Sequence, residues 1–128
     1  MKRILKGSAP RKIWIVHGIP AVLVETEAEH IFKGVIIAEQ LTRMLDADLG
    51  LVVKHFIKTE NSDSRSLEYE ISRLASLLAT AIQAKIYLKM GFNVGSVLER
   101  CLSEALRIIE GLPQRKDIIK LINGLLKD

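Results

Sequence analysis

The chain has 128 residues, 48% of them apolar and 27% charged, which is the balance of a single globular domain and long enough to bury a core. A lone cysteine, Cys101, excludes a disulfide framework within the chain and fits a reducing cytoplasm. The formal net charge of +4 is unevenly spread: Lys2, Arg3, Lys6, Arg11 and Lys12 precede the first acid, Glu25, and the remainder is close to neutral.

Residues 1–11, with Gly7, Ser8 and Pro10, read as a flexible basic arm ahead of one domain over 12–128. MKRILKGSAP has a positive start but no apolar run behind it, so no secretory signal is expected. KIWIV and AVLVE are rich in strand formers, and His17-Gly18-Ile19-Pro20 between them offers turn chemistry. The pattern predicts a β-hairpin of Lys12–Val16 with Ala21–Glu25. Neither arm alternates cleanly, so either both faces should be covered or one should lie at a subunit contact.

Thr26-Glu27-Ala28-Glu29 fits a capping box opening a helix to about Leu45. Its expected buried stripe is Ile31, Val35, Ala38, Leu41 and Leu45, widened by Phe32 and Ile36. Glu29–Lys33 and Glu39–Arg43 are i,i+4 pairs on the outer side. Leu51–Thr59 fits a helix as well as a strand, and its short β-branched run favours a third strand joining the hairpin.

Glu60–Ser66 is polar and supplies caps for the longest helix, Leu67–Met90, which contains neither Gly nor Pro. Leu67, Ile71, Leu74, Leu78, Ile82 and Ile86 form one apolar side, and Ser72, Ser76, Thr80 and Ala84 form a small-residue row that would let another helix approach closely. The uncharged run Leu74–Ala84 is too short for the roughly 18–20 residues of a bilayer crossing. Gly91 ends this helix, and Ser96-Val97-Leu98-Glu99 resembles a second capping box. The helix that follows should bury Leu98, Cys101, Leu102, Ala105, Leu106 and Ile109, and stop at Gly111 and Pro113. A last helix over about Gln114–Leu126 directs Ile118, Leu121, Ile122 and Leu125 inward. The resulting fold class is α+β: a small antiparallel sheet with four helices in the order β-β-α-β-α-α-α. The alternative is a mostly α-helical bundle carrying a β-hairpin.

Chemistry-bearing motifs are sparse. There is no glycine-rich phosphate loop, no cysteine pair for zinc and no His-x-x-x-His. His17, His30 and His55 lack acidic or cysteine neighbours at ligand spacing, and Cys101 lies on an apolar stripe where it acts as a small hydrophobe. No metal, cofactor or catalytic residue is therefore expected. The sequence instead suggests a cytoplasmic assembly module that forms a homodimer or joins a larger complex. Its expected contact residues are Trp14, Ile15 and Val16, then Ser76, Thr80 and Ala84. The alternative is a nucleic-acid accessory protein using Lys2, Arg3, Lys6, Arg11 and Lys12, with Lys116 and Lys120 of the last helix. The low count of Asn and Gln against 34 charged residues leans toward a thermophilic source.

Overall fold

A computed structural model describes residues 9–57 and 66–127. Over these residues the chain is helical and contains no strand: α1 (Ala9–Val16), a 3-10 turn (Ala21–Leu23), α2 (Glu27–Leu45), α3 (Leu49–Ile57), α4 (Leu67–Lys89), α5 (Gly95–Glu110) and α6 (Arg115–Leu125). The α+β expectation is thereby corrected. Neither the hairpin Lys12–Val16/Ala21–Glu25 nor the third strand is present, and the helical-bundle alternative fits once its hairpin is removed.

The reason lies in what Trp14 and the turn residues do. Ile13, Ile15 and Val16 prefer strands by only a few tenths of a kcal/mol each. Burying Trp14 completely against the long helix outweighs that, since truncating such a side chain costs about 3–5 kcal/mol. His17-Gly18-Ile19-Pro20 then acts as a helix stop. Gly18 adopts φ +88°, its N–H donates to Ile15 O at 3.0 Å, and Ile19 N–H donates to Trp14 O at 3.0 Å. This is a Schellman closure, completed by packing of Ile19 in the same cluster as Trp14. Residues 51–57 continue as helix because Val52 is fully buried and Phe56 lies against Gly34 of α2. Lys58 and Thr59 lie outside the described residues.

The long helix α4 packs on α2, α3 and α5. Tyr87 reaches Leu23 and Glu25, Ser76 reaches His30, and Glu68 accepts from Asp48 N–H, so α2 runs antiparallel to α4. Ile71, Leu74 and Leu78 are buried as the spacing predicts, whereas Ile86 is exposed near the end. The helix ends as α1 does: Gly91 has φ +100° and donates to Leu88 O, while Phe92 N–H donates to Tyr87 O at 3.0 Å. Trp14 and Tyr87, equivalent positions in the two closures, meet edge to face with ring centroids 5.0 Å apart.

The capping box at Thr26 is present, with Glu29 N–H donating to Thr26 Oγ1 and Thr26 N–H donating to Glu29 Oε1 at 2.8 Å. Glu29 is thereby engaged at the cap, and Lys33 pairs with Glu25 instead. Glu39–Arg43 forms at 3.0 Å. The expected box at Ser96–Glu99 is absent: α5 starts at Gly95, and its cap, Val94, is fully buried and makes no side-chain cap bond. The buried side of α2 is also rotated from expectation. His30, Gly34, Ile37, Ala38, Leu41, Thr42 and Leu45 face inward, while Phe32 and Ile36 are exposed.

Candidate functional site: a buried polar latch and exposed apolar faces

At the junction of the 19–26 linker, α2 and α4 a set of polar side chains is drawn out of water. The capping residue Thr26 starts α2 and leaves Glu25 just before it, aimed at the gap between α2 and α4. Its carboxyl is 2% exposed. Lys33, two turns along α2, places Nζ 3.0 Å from Glu25 Oε2 and also donates to Gln83 Oε1 of α4. The pairing offsets the cost of burying the carboxylate, which would otherwise amount to several kcal/mol.

Tyr87 completes the latch. Its hydroxyl donates to Leu23 O at 2.6 Å and accepts from Glu25 N–H at 2.9 Å. One phenol thus holds two backbone groups at the end of the 3-10 turn. Burial pushes the Tyr87 phenol above its ordinary range, against the opposing pull of its hydrogen bonds.

His30 lies between this latch and the middle of α4. Its Nδ1 is 3.6 Å from Glu25 Oε1, its Nε2 is 3.2 Å from Ser76 Oγ, and Phe56 covers the ring at 5.9 Å between centroids. The sequence Ser76–His30–Glu25 has the order of a nucleophile, base and acid. Two features work against that chemistry. The His30–Glu25 separation exceeds hydrogen-bond length, and Ser76 sits mid-helix, where backbone amides are committed to the helix and none is free to hold an oxyanion. The arrangement ties α2 to α4.

Compared with protein-family models, curated proteins and solved structures, the chain matches none. Its function must be read from its own surfaces.

The residues expected to make contacts fall into two groups. Trp14, Thr80 and Ala84 are buried inside the chain, and Ser76 is half-buried against His30, so the small-residue row of α4 is occupied internally. Ile15 and Val16 are exposed. They belong to an apolar stretch, since Val22 and Leu23 on the 3-10 turn are exposed as well, Val22 by 90% and Val16 by 79%. The buried Trp14, Ile19 and Val24 fix this stretch on the body from both sides.

Of the expected basic residues, Lys12 is exposed on α1, and Lys116 and Lys120 are exposed one turn apart on α6 beside Arg115. Lys2, Arg3 and Lys6 lie outside the described residues, as does the side chain of Arg11, and α1 already begins at Ala9. Among the described residues no group of three or more His, Cys, Asp or Glu could hold a metal ion, and no helix is long and apolar enough to cross a membrane. Cys101 is buried and its thiol is pushed up by that burial.

The sequence points only weakly to Glu25, Gln83 and Tyr87, and it offers Lys33 a different partner, Glu29. The only signal was a glutamate ending an apolar run and a glutamine and a tyrosine in the second half of the longest helix. Their partners lie 50 to 64 residues away for the pairs that matter, beyond any local periodicity.

Proposed function

We propose that this chain is a cytoplasmic assembly module that works by binding another protein chain through the apolar stretch Ile15–Leu23. The observation that carries the reading is the exposure of Ile15, Val16, Val22 and Leu23 within nine residues, on a segment clamped by Trp14 and the Tyr87 hydroxyl. Exposed apolar side chains grouped on a rigid support are what a protein interface needs, because little ordering entropy remains to oppose binding. The test is a photo-crosslinking side chain placed at position 22, with one at Glu99 on the mixed-charge face of α5 as reference. A discrete protein adduct from position 22 alone is expected in extracts of the source cells. No adduct from position 22, or the same adducts from both sites, contradicts the reading.

A second reading, association with nucleic acid, draws on the exposed cations Arg115, Lys116 and Lys120 of α6 together with Lys12 and the basic residues 2–11. Its test is oligonucleotide anisotropy at two salt concentrations, comparing the chain with Lys116→Ala/Lys120→Ala and with a form lacking residues 2–8. Salt-sensitive binding lost in these forms supports it, and absence of binding removes it.

A further inference from the structure

The outward face of α2 is a second, separate apolar surface. At 100° per residue, the buried positions His30, Gly34, Ile37, Ala38 and Leu41 place Phe32, Ile36 and Arg43 on the opposite side. Phe32 is 68% exposed and Ile36 is 45% exposed, one turn apart, on the part of the helix farthest from its own core. The sequence spent two large apolar residues where an ordinary surface helix carries charge.

The charges around the pair have a symmetry. Glu29 lies seven residues before Ile36 and Arg43 seven residues after it, both on the exposed side. If two copies of α2 meet antiparallel on a dyad through Ile36, Ile36 faces the partner's Ile36 and Phe32 lies beside the partner's Gln40. Glu29 then falls opposite the partner's Arg43, about 10 Å from the axis at each end. The contact is isologous, so each ion pair occurs twice. The Arg43 side chain is 77% exposed, and its bond to Glu39 uses one of five guanidinium donors. Glu29 bonds to Thr26 N–H through Oε1, which keeps the carboxylate fixed at the cap.

We propose that the chain pairs with a second copy of itself through this face, α2 against α2, antiparallel about Ile36. The pairing uses a surface other than Ile15–Leu23, so it goes beyond the proposed function and each can fail without the other. Two large side chains per protomer make a small interface, and the dimer dissociates on dilution through the micromolar range.

The register makes the test specific. Arg43→Glu sets acid against acid at both ends, Glu29→Arg sets base against base, and a mixture of the two variants pairs opposite charges at both ends. Sedimentation velocity over a concentration series should show a dimer for the natural chain and a monomer for Phe32→Asp. Each single charge variant should dimerise about tenfold more weakly, and the equimolar mixture should recover. Because Glu29→Arg also removes a cap, a second measurement leaves the cap intact: Ile36→Cys should cross-link to itself under mild oxidation, and Arg43→Cys should not. A natural chain that stays monomeric, a dimer indifferent to Phe32→Asp, a mixture that does not recover, or equal cross-linking at positions 36 and 43 would overturn the proposal.

Discussion

Replacing Tyr87 by Phe removes one oxygen and leaves the ring in place against Trp14 and Phe92. That oxygen serves the buried N–H of Glu25 at 2.9 Å and the partly buried carbonyl of Leu23 at 2.6 Å. An unpaired buried backbone donor costs about 1–3 kcal/mol, and the half-exposed carbonyl costs less because water can reach it. The sum is about 2–3 kcal/mol, a substantial part of the ~5–15 kcal/mol that holds a domain together. The assay is urea unfolding followed by fluorescence of Trp14, the chain's one tryptophan, which rests on the Tyr87 ring. A midpoint shift at unchanged slope is expected. Alkaline pH supplies a second arm. The folded pKa is raised above the unfolded value, so the folded state holds the proton more tightly, and the contribution is full below the ordinary tyrosine value of about 10. It is lost as pH rises from there through the folded pKa, and Tyr87→Phe should lack that part of the alkaline loss. A destabilisation under about 0.5 kcal/mol, with an unchanged alkaline limb, would show that the hydroxyl does not clamp the linker.

Gly34→Ala would drive a Cβ into the Phe56 ring, so the ring must shift from its seat between α2 and α3. A loss of about 1–3 kcal/mol is expected despite the helix propensity gained, and Phe56→Ala should absorb most of it in a double-mutant cycle. Additive losses would show that the two residues do not touch. Cys101 should react with a thiol reagent at a rate set by unfolding, because it is buried and burial raises its pKa; prompt reaction of the native protein contradicts this. A fluorophosphonate probe should leave Ser76 unlabelled, and labelling that His30→Ala abolishes would establish the nucleophile reading set aside above.

Local chemistry carried part of this structure into the sequence openly. The Thr26–Glu29 box, the Glu39–Arg43 pair, the helix from Leu67 and its stop at Gly91 each depend on residues within one or two turns, and each is present. The N-terminal segment misled because a glycine followed by proline ends a helix as readily as it turns a hairpin. The choice at His17–Pro20 depended on Trp14 finding Tyr87, which no local pattern encodes. The register of α2 was misread for a similar reason. Counting apolar residues puts Phe32 and Ile36 inside, but Gly34 is needed against the Phe56 ring and His30 against Ser76, and those two turn the helix. The latch of Glu25, Lys33, Gln83 and Tyr87 rests on contacts between distant segments, so it was invisible until the helices were docked.

Association through the exposed segment of residues 15–23 should hold the chain on a partner in the cell. The direct measurement is the elution size of the tagged chain in extracts of the source cells, compared with Val16→Asp/Val22→Asp. Both substituted positions are exposed, so the helical fold should survive and be checked by circular dichroism. We expect the natural chain to elute in a larger species than the purified protein and the variant to return to the purified size. Coincident elution of the two chains, at either size, would contradict the claim that this surface holds a partner.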